Sequence, residues 1–355
     1  MSGITQMAAV DRRIAEPLAD SHGNGIGLVG PDLPIEVLLA SGRPFGHLPW
    51  RADGHTPFAD QWLESSFPYW ARSILEQWHE GVFASVETVV FSRGGDASQR
   101  LYYYVAELQR RGKLAGPRVR MFDIALVPRE SSLLHTESAI VELMDVLDVS
   151  AAMLPTGIEH ANRLRRRCAE LEAARTNDGP SYERFARALA WTDPMRWIDE
   201  IRLPNRPDGG VRILLAGSVP PDERIHQAVE SGGASVIAEG HPLASARLGP
   251  ELALNGEPPA RTIARQLRAA AIGPRAFFDR AAWIVDRART VRAGAVVLWL
   301  TREDEALAWS APAMQRALAS VGLPTLLLPA AHWQANDGSL ERIAEFCRGL
   351  ARASA

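Results

Sequence analysis

Two hydrophobic spacings alternate along the chain. Short, largely apolar segments of strand length occur at Gly25–Gly30, Thr88–Phe91, Val211–Gly217, Ala234–Ala238, Ala295–Leu300 and Pro324–Leu328, and Arg118–Ile124 is a further strand candidate with charged residues among its apolar ones. Between them lie stretches with helical periodicity: Pro34–Ser41, Ala97–Arg111, one long stretch from Ala260 to Arg292, and a helix around Ala311–Val321. Ile225, Ala228, Val229 and Gly232 recur at three- and four-residue intervals, as do Leu340, Ile343, Phe346 and Leu350, which is the stripe of a half-buried helix. Strands that alternate with helices imply parallel sheets with crossover helices.

The alternation stops in the middle of the chain. From Ser132 to Pro207 the pattern is helical throughout, with a break at Asn177–Pro180 and a turn-rich linker at Pro204–Gly210. This predicts an α/β protein of two Rossmann-like lobes with parallel sheets, joined by a helical segment. The expected bounds are an N-terminal extension over 1–22, a first lobe over 23–131, the helical connection over 132–207 and a second lobe over 208–355.

A chain of 355 residues is long for one core and suits two. A net charge of −3 carries no polyelectrolyte signature, so no nucleic-acid groove is expected. Lys113 is the sole lysine, which codon bias explains more simply than selection for arginine. The first twenty residues carry Asp11, Arg12, Arg13 and Glu16 without an apolar core, and Ala293–Leu300 is too short to span a bilayer. A cytoplasmic protein without membrane contact is expected. Two cysteines, Cys168 and Cys347, cannot build a disulfide framework.

In parallel α/β sheets, ligands collect where strands end and helices begin. Four loops have that position: Val29–Pro34, Ser92–Asp96, Gly217–Asp222 and Thr301–Glu305. They supply the candidate binding residues Gly30, Ser92, Gly95, Asp96, Arg100, Gly217 and Ser218. Each has a plainer reading, since Gly94-Gly95 suits a tight turn and Asp96 or Asp222 suits a helix cap. No dinucleotide fingerprint, phosphate loop, nucleophile elbow or zinc-type histidine cluster is present.

Taken in order, these segments resemble the subunits of 2-hydroxyacyl-CoA dehydratases and the related benzoyl-CoA reductases. Gly27–Glu36 with Ala40–Pro44 is similar to the family's opening element, and Phe67–Ser73 to its second block. Gly95-Asp96 with Arg100–Tyr102 resembles a Cys-Asp element, and Leu215–Pro221 with Gly232–Val236 the start of the family's second domain. Asp304 ahead of Trp309 and Pro312, then Gly322–Leu328 and Arg342–Phe346, continue the match. The resemblance runs from Gly25 to Leu350.

The resemblance implies three cysteine thiolates holding a [4Fe–4S] cluster between the lobes, with the open iron site facing an acyl-CoA. It also implies a partner subunit of similar fold and an ATP-dependent activator that delivers an electron. In this chain the three ligand positions are Phe67, Gly95 and Asp304, none of which supplies a thiolate. No metal is therefore expected here, and a [4Fe–4S] cluster only in a partner. Three functions follow as expectations. The chain pairs with a cluster-bearing homologue, or with itself, to form an acyl-CoA site. Alternatively it is a metal-free enzyme on an acyl-CoA or other anionic acid, with Asp304 beside Glu303 and Glu305 as general base; the plainer reading is a solvated helix cap. Or it is a small-anion binding or regulatory protein using the helix N-termini at Gly217-Ser218 and Gly94-Gly95. Arg93, Arg100 and Arg302 would suit the phosphates of an acyl-CoA.

Overall fold

A computed structural model describes residues 3–19, 21, 23–174, 179–201 and 210–354. Strands β1 (Gly25–Val29), β2 (Phe45–His47), β3 (Val86–Ser92) and β4 (Arg118–Phe122) form a parallel sheet in the order β2-β1-β3-β4. Strands β5 (Val211–Gly217), β6 (Ala234–Gly240), β7 (Ala295–Thr301) and β8 (Thr325–Ala331) form a second in the order β6-β5-β7-β8. The α/β class and the two Rossmann-like lobes are as the alternation predicts. Every residue of β7 is buried, because helices cover both faces of a parallel sheet and leave no polar side.

Helix α1 (Gly3–Ala15) precedes the first sheet and packs on the middle segment, while α2 (Ile35–Ala40), α3 (Ala59–Trp62), α4 (Tyr69–His79) and α5 (Asp96–Arg110) accompany that sheet. The middle segment holds α6 (Glu130–Val146), α7 (Leu154–Ala173), α8 (Gly179–Ala188) and α9 (Pro194–Glu200). The remainder holds α10 (Arg224–Ser231), α11 (Pro242–Leu248), α12 (Pro259–Ala270), α13 (Arg280–Thr290), α14 (Glu305–Ser320) and α15 (Ser339–Ser354). Most of the linker at Pro204–Gly210, and Asn177 and Asp178 of the predicted break, lie outside the described residues.

The single helix expected over Ala260–Arg292 is two. Ala271 leaves the helical region at ψ 124°, and α13 starts afresh where the Asp279 carboxylate caps the N–H groups of Ala281 and Ala282 at 3.0 and 2.9 Å. The helix expected near Ala311 begins earlier, at Glu305. The helical pattern expected after the break at Asn177–Pro180 is itself interrupted at Trp191, whose φ is +65°. Tertiary contacts hold Trp191 there. Its N–H donates to the Phe45 carbonyl and its indole to the His47 carbonyl, closing the β2 edge of the first sheet.

The core of the first lobe draws on distant parts of the chain. One face of its sheet, with Ile26, Leu28 and Val90, packs against α2, α6 and α7, and against Ile263, Ala264 and Leu267 of α12. The other face packs on α4 and α5. The second sheet is sandwiched by α10 and α15 on one side and by α13 and α14 on the other. Among the described residues no helix is long and apolar enough to cross a membrane.

Candidate functional site

The strand order of each sheet reverses once, between β1 and β3 in the first lobe and between β5 and β7 in the second. At such a reversal the two flanking connections leave towards opposite faces and open a crevice at the carboxyl ends of the strands. The four candidate loops are those that follow β1, β3, β5 and β7. Both crevices open into one cavity of about 520 Å³ between the lobes, within the range of roughly 300–1,000 Å³ typical of small-molecule sites.

Gly30, Gly95, Asp96, Arg100, Gly217, Ser218 and Asp304 line this cleft. Ser92 does not. It is fully buried behind the wall, where its Oγ accepts the Gly94 N–H at 2.9 Å and its carbonyl accepts the Ser98 hydroxyl at 2.6 Å. Phe67 also lies behind the wall, buried between the lining residues Ser66 and Pro68. Arg93 turns away to Asp123 at 2.6 Å. Two glycines are required by geometry. Gly30 has φ +93°, and a methyl there would sit 2.4 Å from the Ser98 Oγ; Gly217 has φ +117°, and a methyl there would sit 2.2 Å from the Trp299 carbonyl oxygen.

Arg100 is committed to its own lobe. Its guanidinium lies 4.2 Å above the Phe67 ring and binds Glu64 and the Ser66 hydroxyl. Asp96 stands in the first turn of α5, largely exposed, and accepts from Arg275 at 2.9 Å. Asp304 is the N-cap residue of α14 but makes no side-chain cap bond. Its Oδ2 accepts the hydroxyl of Ser218 instead. Ser218 Oγ in turn accepts the Thr301 N–H at 3.0 Å, so the ends of β5 and β7 are tied through one hydroxyl. Burial raises the Asp304 carboxyl above the ordinary carboxylate value, partly offset by the bonds from Ser218 and Thr301. Burial raises Glu303 likewise, and its Oε2 is buried without a hydrogen-bond partner.

His47, Trp50 and Trp333 also line the cleft, and no sequence pattern points to them. His47 ends a strand of three residues, too short for alternation to show. Burial and the nearby positive charge of Arg247 bring its imidazole down to about 4, so it is neutral at physiological pH. Trp50 reaches across the lobes, donating its indole N–H to the Pro221 carbonyl at 2.7 Å and meeting Trp333 edge-on. Gln334 donates to the Ala52 carbonyl and Arg224 pairs with Asp53 at 2.7 Å, closing the same side.

This two-crevice cleft has a counterpart in sequence. The family model described as 2-hydroxyglutaryl-CoA dehydratase, D-component, matches residues 32–347. The chain belongs to that family. No curated protein gives a significant match. Tested against a [4Fe–4S] cluster, this D-component family member lacks the donors: Phe67 and Gly95 offer no ligand atom and Asp304 a single carboxylate. Cys168 sits in α7 beside Leu164 and Ile198, and Cys347 in α15 beside Gly232 at the end of α10; both are buried and free, and neither lines the cleft. Burial pushes both thiols up to about 11, away from the thiolate form a cluster needs. Two cysteines so placed do not form a typical cluster site. These three residues nevertheless lie at the cleft, Gly95 and Asp304 on its wall and Phe67 just behind it.

Proposed function

We propose that the chain is a cluster-free subunit of a 2-hydroxyacyl-CoA dehydratase or benzoyl-CoA reductase-like system that holds an acyl-CoA in the inter-lobe cleft and pairs with a cluster-bearing homologue. The observation that carries this reading is a cleft without thiols in a member of this family: both sheet reversals open on one cavity, while no thiol lines it. Family members typically act in multi-subunit complexes, which fits a subunit that lends walls and not metal. Arg302 lines the cleft and is half exposed, with Glu303 at a loose 3.8 Å, so its guanidinium is free to turn to a phosphate or carboxylate.

A second reading has its own observation. The Asp304 carboxylate is turned from its cap position onto Ser218, which suits a general base acting on an acyl-CoA or other anionic acid without metal.

Anaerobic purification with iron and sulfide assays, together with co-expression beside a cysteine-bearing homologue, tests the subunit reading. Sub-stoichiometric iron, co-purification of the homologue, and a raised melting midpoint with CoA esters are the expected results. Stoichiometric iron and sulfide in this chain, or dehydratase or reductase activity of this chain without such a partner, would overturn it.

A further inference from the structure

Ser218 has the surroundings of an activated hydroxyl. Gly217 turns the chain sharply as β5 ends, at φ +117° and against the Trp299 carbonyl, and the Ser218 N–H is pinned to that carbonyl at 2.7 Å. This leaves the side chain at the floor of the cleft, between β5 and β7. The hydroxyl proton has a defined acceptor, Asp304, and a lone pair of the same oxygen is held by the Thr301 N–H at 3.0 Å. Nucleophile and base thus come from the loops that follow two neighbouring strands and are fixed by backbone bonds, the arrangement an oxygen nucleophile needs because the free hydroxyl is too weak an attacker at neutral pH. Glu305 and Ala306, in the first turn of α14, also line the cleft. First-turn N–H groups have no carbonyl within their helix to bond, so they can receive negative charge developing on an acyl oxygen.

We infer that Ser218 is a nucleophile and Asp304 its general base, so that the cleft carries out acyl transfer from a thioester through a serine ester. This rests on the acyl-thioester reading of the cleft given above. In the first half-reaction Asp304 takes the Ser218 proton as Oγ bonds to the thioester carbonyl carbon. The carbon–sulfur bond then breaks, and the thiolate leaves with the proton returned by Asp304. In the second half-reaction water attacks the serine ester, Asp304 takes its proton and passes it to Oγ, and a carboxylic acid and free Ser218 result. Water is the only other reactant and nothing is oxidised or reduced. Burial of Asp304 makes it a stronger base than an exposed aspartate.

The test uses the full-length protein with a fluorophosphonate probe and with acetyl-, butyryl- and benzoyl-CoA. Peptide mass spectrometry is expected to place the phosphonate on Ser218. Thiol release from at least one CoA ester is expected to fall by about 100-fold or more in both Ser218→Ala and Asp304→Asn. A cooperative melt with a midpoint near that of the wild-type protein in both variants guards against loss of fold. A CoA-ester melting shift in the wild-type protein without phosphonate on Ser218 and without thiol release would overturn the nucleophile while leaving the binding reading intact. Phosphonate on Ser218 with no shift from any CoA ester would support the nucleophile and overturn the thioester reading. Absence of both overturns both.

Discussion

Asp32 stands at φ +60° in the loop after β1, against the Cα of Gly94, where an added methyl would lie 2.6 Å from its Oδ2. Gly273 closes the other side, and Oδ2 is buried without a hydrogen-bond partner. Burial alone raises this carboxyl from 3.8 to about 7. A folded-state value above the unfolded one means that the native chain binds the proton more tightly between these limits, so stability falls as pH rises from about 4 to about 7 and is level above that. Asparagine tolerates the left-handed conformation and stays neutral. Asp32→Asn is therefore expected to leave the melting midpoint at pH 4 nearly unchanged and to raise stability at pH 8 by about 4 kcal/mol. Urea titrations at the two pH values check it; equal effects at both would show that the carboxyl is ionised at no cost.

Helices α2 and α7 cross at contact distance, and the crossing shows how a small residue sets the packing of two elements. A methyl at Gly157 would lie 2.2 Å from the Glu36 carbonyl oxygen and 2.8 Å from Ala40 Cβ. Beside it the Glu36 carboxylate accepts from Arg165 at 2.6 Å, with both side chains almost wholly buried. In an isolated helix Gly→Ala gains up to about 1 kcal/mol. Here Gly157→Ala is expected to cost about 2 kcal/mol instead, because the helices must separate. Glu36→Gln, which leaves a buried guanidinium without its counter-charge, is expected to cost about 3 kcal/mol. The denaturant midpoint reads both, and a stabilised Gly157→Ala would refute the close crossing. Neither contact is legible in sequence, since both join residues more than a hundred positions apart. What the sequence does reveal are elements long enough to express a period: β1, β3, β5, β7 and α5 appear close to their observed bounds. The strand β2 has three residues and no period, so nothing in the sequence marks His47 at its end. The strand-end loops of the cleft are readable because topology alone places ligands there. The Ser218–Asp304 bond is not, because it depends on which strands become neighbours.

At the scale of the molecule, the two sheets are separate but their coverings are not. Helix α12 follows β6 in sequence, yet Ile263, Ala264 and Leu267 join Leu252 in the core that rests on Ile26, Leu28 and Val90 of the first sheet. Burying the three large side chains Leu252, Ile263 and Leu267 contributes about 6 kcal/mol, at roughly 2 kcal/mol each, against a net stability of about 5–15 kcal/mol for a typical domain. The first sheet therefore depends on chain that arrives after the second sheet has begun. The cleft is closed in the same way from both sides, by Trp50 on the Pro221 carbonyl and by Arg275 on Asp96. Two consequences can be measured. Calorimetry of the full chain is expected to give one cooperative transition, with calorimetric and van't Hoff enthalpies equal. A fragment ending at residue 210 is expected to expose the uncovered face of the first sheet, bind a hydrophobic dye and lack a cooperative melt. A well-folded fragment, or two resolved transitions in the full chain, would mean that α12 covers the first sheet without supporting it. The cleft would then be the meeting of two independent lobes, and ligand binding between them would have to supply the coupling that the core is here expected to provide.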